Sequence, residues 1–416
     1  MLFSLFATSI HDSMSYSYLE INFIASLLAI GMYLCLPVLG YLADCYGPAL
    51  LSIILIWLFC PSYFVNSLII SGPSSRLNLY ILALNFCLIG LATSSLYFAS
   101  LLTCAKIYPN HKGLAISLPV SCYGLSTLIG SQIMKLPVFI KPNGYLELSK
   151  VFGFFSGLYF IIGILNFVSN SIVSMELQVL FNESTPLLEE DDLIPQRSVV
   201  EPVNHGQRFK NFVKDKSSWL LLVSLILNLG PLESFQNNLG SIIENTAHPI
   251  QTNLSDQIGI LATSSTITRL LMGGLSDYLS SDDRKYPINR TWLLSLIILM
   301  GSLGQFALVK SGLIDFKYIS VLNGASYGGI FTIYPTIVAS IWGIDIMGST
   351  WGSLMLAPAL GSIIYSISYG KTVDYCESQF CLNGYFNTTS WSLLLSLVLL
   401  LVTWRAIWYN RGFKMF

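Results

Sequence analysis

Charge is scarce in this sequence. Of 416 residues, 10% are Lys, Arg, Asp or Glu and 53% are hydrophobic, whereas a soluble domain covers its surface with about 25% charged residues. A chain so poor in charge suits acyl chains as its solvent rather than water. The net charge of −1 offers nucleic acid no basic surface, so no nucleic-acid partner is expected. Histidine is rarer still. His11, His111, His205 and His248 fall in loops or at the ends of apolar runs, without the spaced carboxylates that a metal centre or an intramembrane enzyme needs. No enzyme activity, metal or cofactor is expected. The N-terminus also lacks the basic stretch and small-residue cleavage site of a secretory signal.

What is abundant fits a bilayer. The 31 glycines let helices pack closely, and 22 tyrosines and 24 phenylalanines supply interfacial anchors. Crossing about 30 Å of hydrocarbon takes roughly 20 apolar residues. Such stretches start near Leu19, Pro48, Leu77, His111 and Ser149, then near Trp219, Asp256, Thr291, Ile314, Ile346 and Trp391. Met1 to Ile10 is apolar but covers only about half a bilayer at ~1.5 Å per residue. It reads as the closing half of a first helix whose upstream part is missing from this chain. Eleven full helices plus a stub then stand for an architecture of twelve.

Between Met175 and Lys216 the composition turns acidic, basic and proline-bearing, including NESTPLLEEDDLIPQ, with no apolar period that predicts a helix. Residues 175–216 are therefore expected to be a cytosolic linker between an N-terminal bundle over 1–174 and a C-terminal bundle over 217–410. The halves repeat one another. Gly40-Tyr-Leu-Ala-Asp44 has its counterpart in Gly273-Gly-Leu-Ser-Asp277 at an offset of 233 residues, and Gly90 has its own in Gly324 at 234. With the linker in the cytosol, alternating loops give that side the larger share of Lys and Arg, as the positive-inside rule requires. The sequons at Asn253 and Asn387 then fall in non-cytosolic loops. Cys376 and Cys381 share a polar loop on that side, where a disulfide can persist, and bridged and free forms stay equally open. Cys35, Cys45, Cys60, Cys87, Cys104 and Cys122 lie in or beside apolar runs and read as packing residues.

A few polar residues stand out against this apolar background. Arg269 lies deep in a span, where even lenient insertion scales charge about 2.5 to 3.5 kcal/mol. It stands two turns from Asp277, so either a structural ion pair or an anionic solute could offset its cost. Glu233, with Gln236 and Asn237 beside it, follows Gly230-Pro231, which is expected to break the seventh helix. Such a carboxylate is either a pore group able to couple a solute to protons or a hydrated residue near the surface. Asn85, Ser95, Tyr97, Tyr123, Asn323 and Tyr327 are further cavity candidates, most of them expected to serve helix packing. Pro119, Pro335 and Pro358 sit inside spans beside glycines and suit helices that bend. Glu183, Leu187 and Leu188 form an acidic dileucine pattern in the linker, of the kind a sorting adaptor reads.

Gly40-Tyr-Leu-Ala-Asp44-Cys-Tyr-Gly47 resembles the loop signature of the major facilitator superfamily, except that Cys45 and Pro48 stand where basic residues are usual. GMYLCLPVLGYLAD from Gly31, LLTCAKIYP from Leu101, LPVSCYGLSTLIGSQ from Leu118, LGPLE from Leu229 and YGGIFTIYPT from Tyr327 are similar to the fungal monocarboxylate-transporter-like branch. This resemblance implies an all-α membrane protein of two six-helix bundles, with Asp44, Asp277, Gly40 and Gly273 as gating residues. It implies a vacuolar membrane location, the plasma membrane being the alternative, and no settled substrate. The branch also places an arginine at Arg269, with glycine at Gly273 and an aspartate where this chain has Ser265, a departure that leaves proton-coupled carboxylate transport open. The expectation is alternating access by a monomer, with a small-molecule substrate held by Arg269, Glu233, Gln236, Asn237, Tyr123, Asn323 and Tyr327. A receptor or sensor that keeps the fold without transporting is the competing reading.

Overall fold

A computed structural model of the chain describes residues 3–16, 18–72, 75–109, 111–134, 136–141, 146–184, 205–245, 254–281, 287–309, 314–374 and 381–412. The first half holds α1 (Phe3–Met14), α2 (Tyr18–Tyr33), α3 (Leu36–Tyr46), α4 (Pro48–Ser71), α5 (Arg76–Ile107), α6 (Lys112–Ile133) and α7 (Leu148–Ser184). A short helix, α8 (His205–Lys214), precedes the second half. That half holds α9 (Lys216–Asn237), α10 (Leu239–Asn245), α11 (Leu254–Leu279), α12 (Arg290–Val309), α13 (Phe316–Ile341), α14 (Met347–Leu354), α15 (Leu356–Asp374) and α16 (Cys381–Thr403).

Nine spans among the described residues are long and apolar enough to cross a membrane, with α3 continuing α2 and α15 continuing α14. Helix α13 lies outside that set although it has 26 residues. Its glycines, serines and tyrosines lower its hydropathy, and it is buried among other helices along most of its length. Helix α1 covers most of the apolar N-terminal stretch and runs on to Met14, 12 residues in all. Its Phe6 packs edge-on against Phe152, 5.2 Å between centroids, at one end of an aromatic cluster that includes Phe59, Tyr63 and Tyr159.

Proline explains the breaks that matter. Pro37 cannot donate to the carbonyl of Tyr33, and α2 gives way to α3 there; Pro358 does the same to Leu354 between α14 and α15. Gly230-Pro231 behaves otherwise, and the expected break in the seventh helix is corrected, since α9 is continuous through both residues. The carbonyl that Pro231 strips of its partner belongs to Leu227, and the Ser392 hydroxyl of α16 donates to it at 2.8 Å. Gly230 serves packing instead, because a Cβ there would stand 3.0 Å from the Cα of Gly361 on α15.

Three other expectations are corrected. The linker does carry helix: α7 continues to Ser184 and α8 occupies His205–Lys214. The ten residues of α8 are too few to show a period among so many charges, yet Phe209 and Phe212 stack at 6.0 Å and Phe212 is buried. The last span begins at Cys381 rather than near Trp391, which draws the Asn387 sequon out of a loop and into α16. There the Thr389 hydroxyl is buried, donating to Gln305 Oε1 at 3.0 Å. Leu187, Leu188, Asn253 and Cys376 lie outside the described residues, as do the side chains of Glu183 and Cys381.

Candidate functional site

Two buried charges of opposite sign face the seam between the halves. Glu233 on α9 is 7% exposed, so the reading of a hydrated surface carboxylate is corrected. Its Oε1 accepts the Tyr33 hydroxyl of α2 at 2.9 Å and the Tyr327 hydroxyl of α13 at 3.1 Å. One carboxylate oxygen thus joins the first half to the second. Arg269 on α11 is 4% exposed, and its guanidinium stands 5.8 Å from the centre of the Tyr327 ring. Nη1 donates to the Val120 carbonyl of α6 at 2.7 Å, a second bond across the seam. Gly124 permits that approach, since a Cβ there would lie 3.3 Å from the same nitrogen.

Arg269 has no carboxylate partner among the described residues, and its Nε is buried with no acceptor. The structural pair considered with Asp277 is not made, because Asp277 bonds Arg290 Nη2 at 3.1 Å. Tyr97 and Tyr123 complete the cluster, their rings edge to face at 6.0 Å. Tyr97 Oη is buried and unpartnered, while Tyr123 is 36% exposed and reaches Met32 Sδ at 3.5 Å. Tyr123 is flanked by Tyr97 and Met32. One turn beyond Glu233, Gln236 Nε2 is also buried without a partner.

At the linker end, two aspartates cap helices of the opposite half. Asp44 of α3 accepts the Gly348 and Ser349 backbone N–H groups at 3.0 and 2.6 Å and the Ser349 hydroxyl at 2.7 Å, at the start of α14. Asp277 of α11 accepts the Gly113 and Leu114 N–H groups, each at 2.8 Å, at the start of α6. The internal repeat is therefore a repeat of contacts. Each carboxylate meets unsatisfied helical donors and the positive end of a helix dipole, which replaces the basic residues absent beside Asp44. Glycine makes the approach possible. A Cβ at Gly348 would lie 2.5 Å from the Gly40 carbonyl, one at Gly113 2.6 Å from that of Gly273, and one at Gly273 2.7 Å from that of Gly113.

Other candidates fall elsewhere. Asn323 packs α12 on α13, accepting Gln305 Nε2 at 2.6 Å and donating to the Ile319 carbonyl. Asn237 is exposed and bonds Ser362, Asn85 bonds Asn66 at 2.8 Å, and Ser95 bonds the Leu91 carbonyl of its own helix. Sequence reasoning passed over Tyr33, Met32, Arg290, Ser349 and the Val120 carbonyl. The one signal for Tyr33 was Pro37, four residues on, which frees the helix end beneath it.

The model of the Major Facilitator Superfamily matches residues 1–366. The chain belongs to that superfamily. It is a multi-pass membrane transport protein and not an enzyme. The superfamily member titled "Probable transporter MCH1" from Debaryomyces hansenii is 59% identical to it, covering 100% of this chain and 90% of its own length. The protein of the same title from Candida albicans is 56% identical over the same shares. In fold, the chain is similar to a bacterial homologue of the iron transporter ferroportin in an outward-facing state, with a TM-score of 0.65 at 14% identity over 96% of this chain and 93% of that one.

Proposed function

We propose that this superfamily member carries a small carboxylate across its membrane by alternating access, with the solute's anionic group held at Arg269. The observation that carries this reading is a guanidinium buried between the halves with one nitrogen unpartnered and, among the described residues, no carboxylate paired with it. A guanidinium at that depth without a direct ion pair costs several kcal/mol. A carboxylate arriving between Arg269 and Tyr123 removes the cost and gains charge-assisted hydrogen bonds. Asp44 and Asp277 join the halves at the linker end. Among the described residues, the hydrogen bonds between halves run from the Glu233 and Arg269 level to that end. This arrangement supports a state closed toward the linker, which we place in the cytosol, and open opposite it, in keeping with the outward-facing relative in fold. The dileucine pattern at Glu183, Leu187 and Leu188 supports delivery to the vacuolar membrane.

Uptake of radiolabelled lactate and pyruvate into proteoliposomes tests this reading. Wild type is expected to accumulate at least one of them, and Arg269→Ala to lose uptake at least about tenfold, the equivalent of ~1.4 kcal/mol, while still reaching its membrane. Unchanged uptake in Arg269→Ala removes it from the site. Binding without flux in wild type favours a sensor.

A further inference from the structure

We infer that Cys45, at the linker end of α3, is a site of S-acylation, with His205 as the base that takes its proton and Asp44 holding that base in place. The inference is independent of which solute the transporter carries. It starts from three side chains in succession. His205 Nδ1 lies 3.7 Å from Cys45 Sγ, and Nε2 lies 3.4 Å from Asp44 Oδ2 and 3.3 Å from the Ser349 hydroxyl. That hydroxyl donates its own hydrogen to Asp44 Oδ2 at 2.7 Å, so both neighbours of Nε2 are acceptors. Nε2 therefore carries the ring hydrogen, and the lone pair of Nδ1 is left facing the thiol. Nucleophile, base and orienting carboxylate in this order are what activates a thiol.

Exposure separates this thiol from its fellows. Cys35, Cys60, Cys87 and Cys104 are half-buried, and Cys60 donates to the Ser156 carbonyl. Cys122 is exposed but lies near the middle of α6, away from either end of that helix. Cys45 is exposed one residue before the end of α3. The packing role expected of it is therefore corrected.

The chemical class of its partner follows from where the thiol sits. Cys45 closes a span at the boundary of the bilayer, where a fatty acyl thioester keeps its chain in lipid and its reactive head at the surface. Leu34, Val38 and Tyr41 precede it at intervals of four, three and four residues, which is one helical face, and they are 59%, 62% and 44% exposed. An acyl chain on Cys45 has that apolar face to lie along. In the transfer, Sγ bonds to the carbonyl carbon of the acyl-coenzyme A thioester while the S–H proton passes to His205 Nδ1. The bond from that carbon to the donor sulfur breaks, and the departing thiolate takes the proton back from Nδ1. Nothing is oxidised or reduced. The product has no S–H to offer Nδ1, so acylation also loosens the contact of α3 with α8.

Incubating the purified full chain, in detergent, with palmitoyl-coenzyme A tests this. Intact-mass spectra are expected to show one added acyl group that neutral hydroxylamine removes, as it removes a thioester. Cys45→Ser should lose the adduct, and Cys122→Ser should keep it. Cys45→Ser changes one atom at an exposed position, so the loss is not a loss of fold. His205→Gln should slow formation of the adduct at least about tenfold, because a positioned base contributes that much or more. Unfolding of that variant would bare further thiols and raise labelling, so a slower rate reports the missing base. An adduct that survives in Cys45→Ser, a wild type that takes no acyl group, or an undiminished rate in His205→Gln each overturns the inference.

Discussion

Asp44 and Asp277 occupy equivalent places in the repeat, yet their surroundings make them unequal. Asp277 caps α6 and also neutralises Arg290, whose side chain is 10% exposed. Asp277→Asn leaves that guanidinium nearly buried and unpaired, a loss of about 3 to 5 kcal/mol. The ionisable partner of Asp44 is His205, 3.4 Å away, and its other bonds come from α14 backbone N–H groups and the Ser349 hydroxyl. An asparagine there still accepts one of these, so Asp44→Asn should lose about 1.5 to 3 kcal/mol. Melting temperatures of the two purified variants check the order: Asp277→Asn should fall further, and equal shifts would contradict it. Repetition of a motif fixed the two positions, whereas the partner of each depended on a neighbour far along the chain.

Helix α8 is the element that sequence reading missed, and it lies across both halves. His205 sits edge-on to Tyr41 of α3 at 5.3 Å and bonds Ser349 of α14 at 3.3 Å. Arg208 pairs with Asp345 at 3.0 Å, and Phe212 meets Trp342 edge-on at 5.1 Å. The exposed Arg208 pair is worth little, so the buried Phe212 is the anchor. Phe212→Ala should cost about 3 kcal/mol of docking and raise the rate of proteolysis within 205–214, with α9 itself intact. An unchanged rate would show that the polar contacts hold the helix alone. At the corner between α8 and α9, burial pushes the Asp215 carboxyl up. The Arg411 guanidinium 2.6 Å away and the Ser217 backbone N–H outweigh that and leave it below the usual carboxylate value. A lowered value means the tie is fully made at neutral pH and is lost only in acid, as the pH falls through that value.

For the whole molecule, polar contacts and bare glycines close the seam together with an apolar cluster shared by both halves, Leu36, Phe98 and Ile116 with Leu229, Phe331 and Trp351. Carboxylates on helix N-termini can part and be satisfied by water, which suits halves that rock. The native Cys45 lies 3.7 Å from His205 Nδ1, so His205→Cys should form a disulfide with it under mild oxidation. That bond would pin α8 to the first half while Phe212 and Arg208 hold it to the second. Transport should stop on oxidation and return on reduction. Undiminished flux in the oxidised form would mean that α8 stays seated on α3 throughout the cycle.

Hydropathy, the internal repeat and the change of composition near residue 175 were enough to give a two-half helical membrane protein and to mark Asp44, Asp277, Arg269 and Glu233, because each depends on local composition or on the cost of a charge in lipid. Local sequence could not say which carboxylate meets which cation. It could not show that Pro231 would be accommodated by Ser392, that Asn323 would be spent on Gln305, or that Tyr33 would join Glu233. Those pairings are made between helices up to 200 residues apart, and only the packing of one half against the other brings such residues within hydrogen-bond reach.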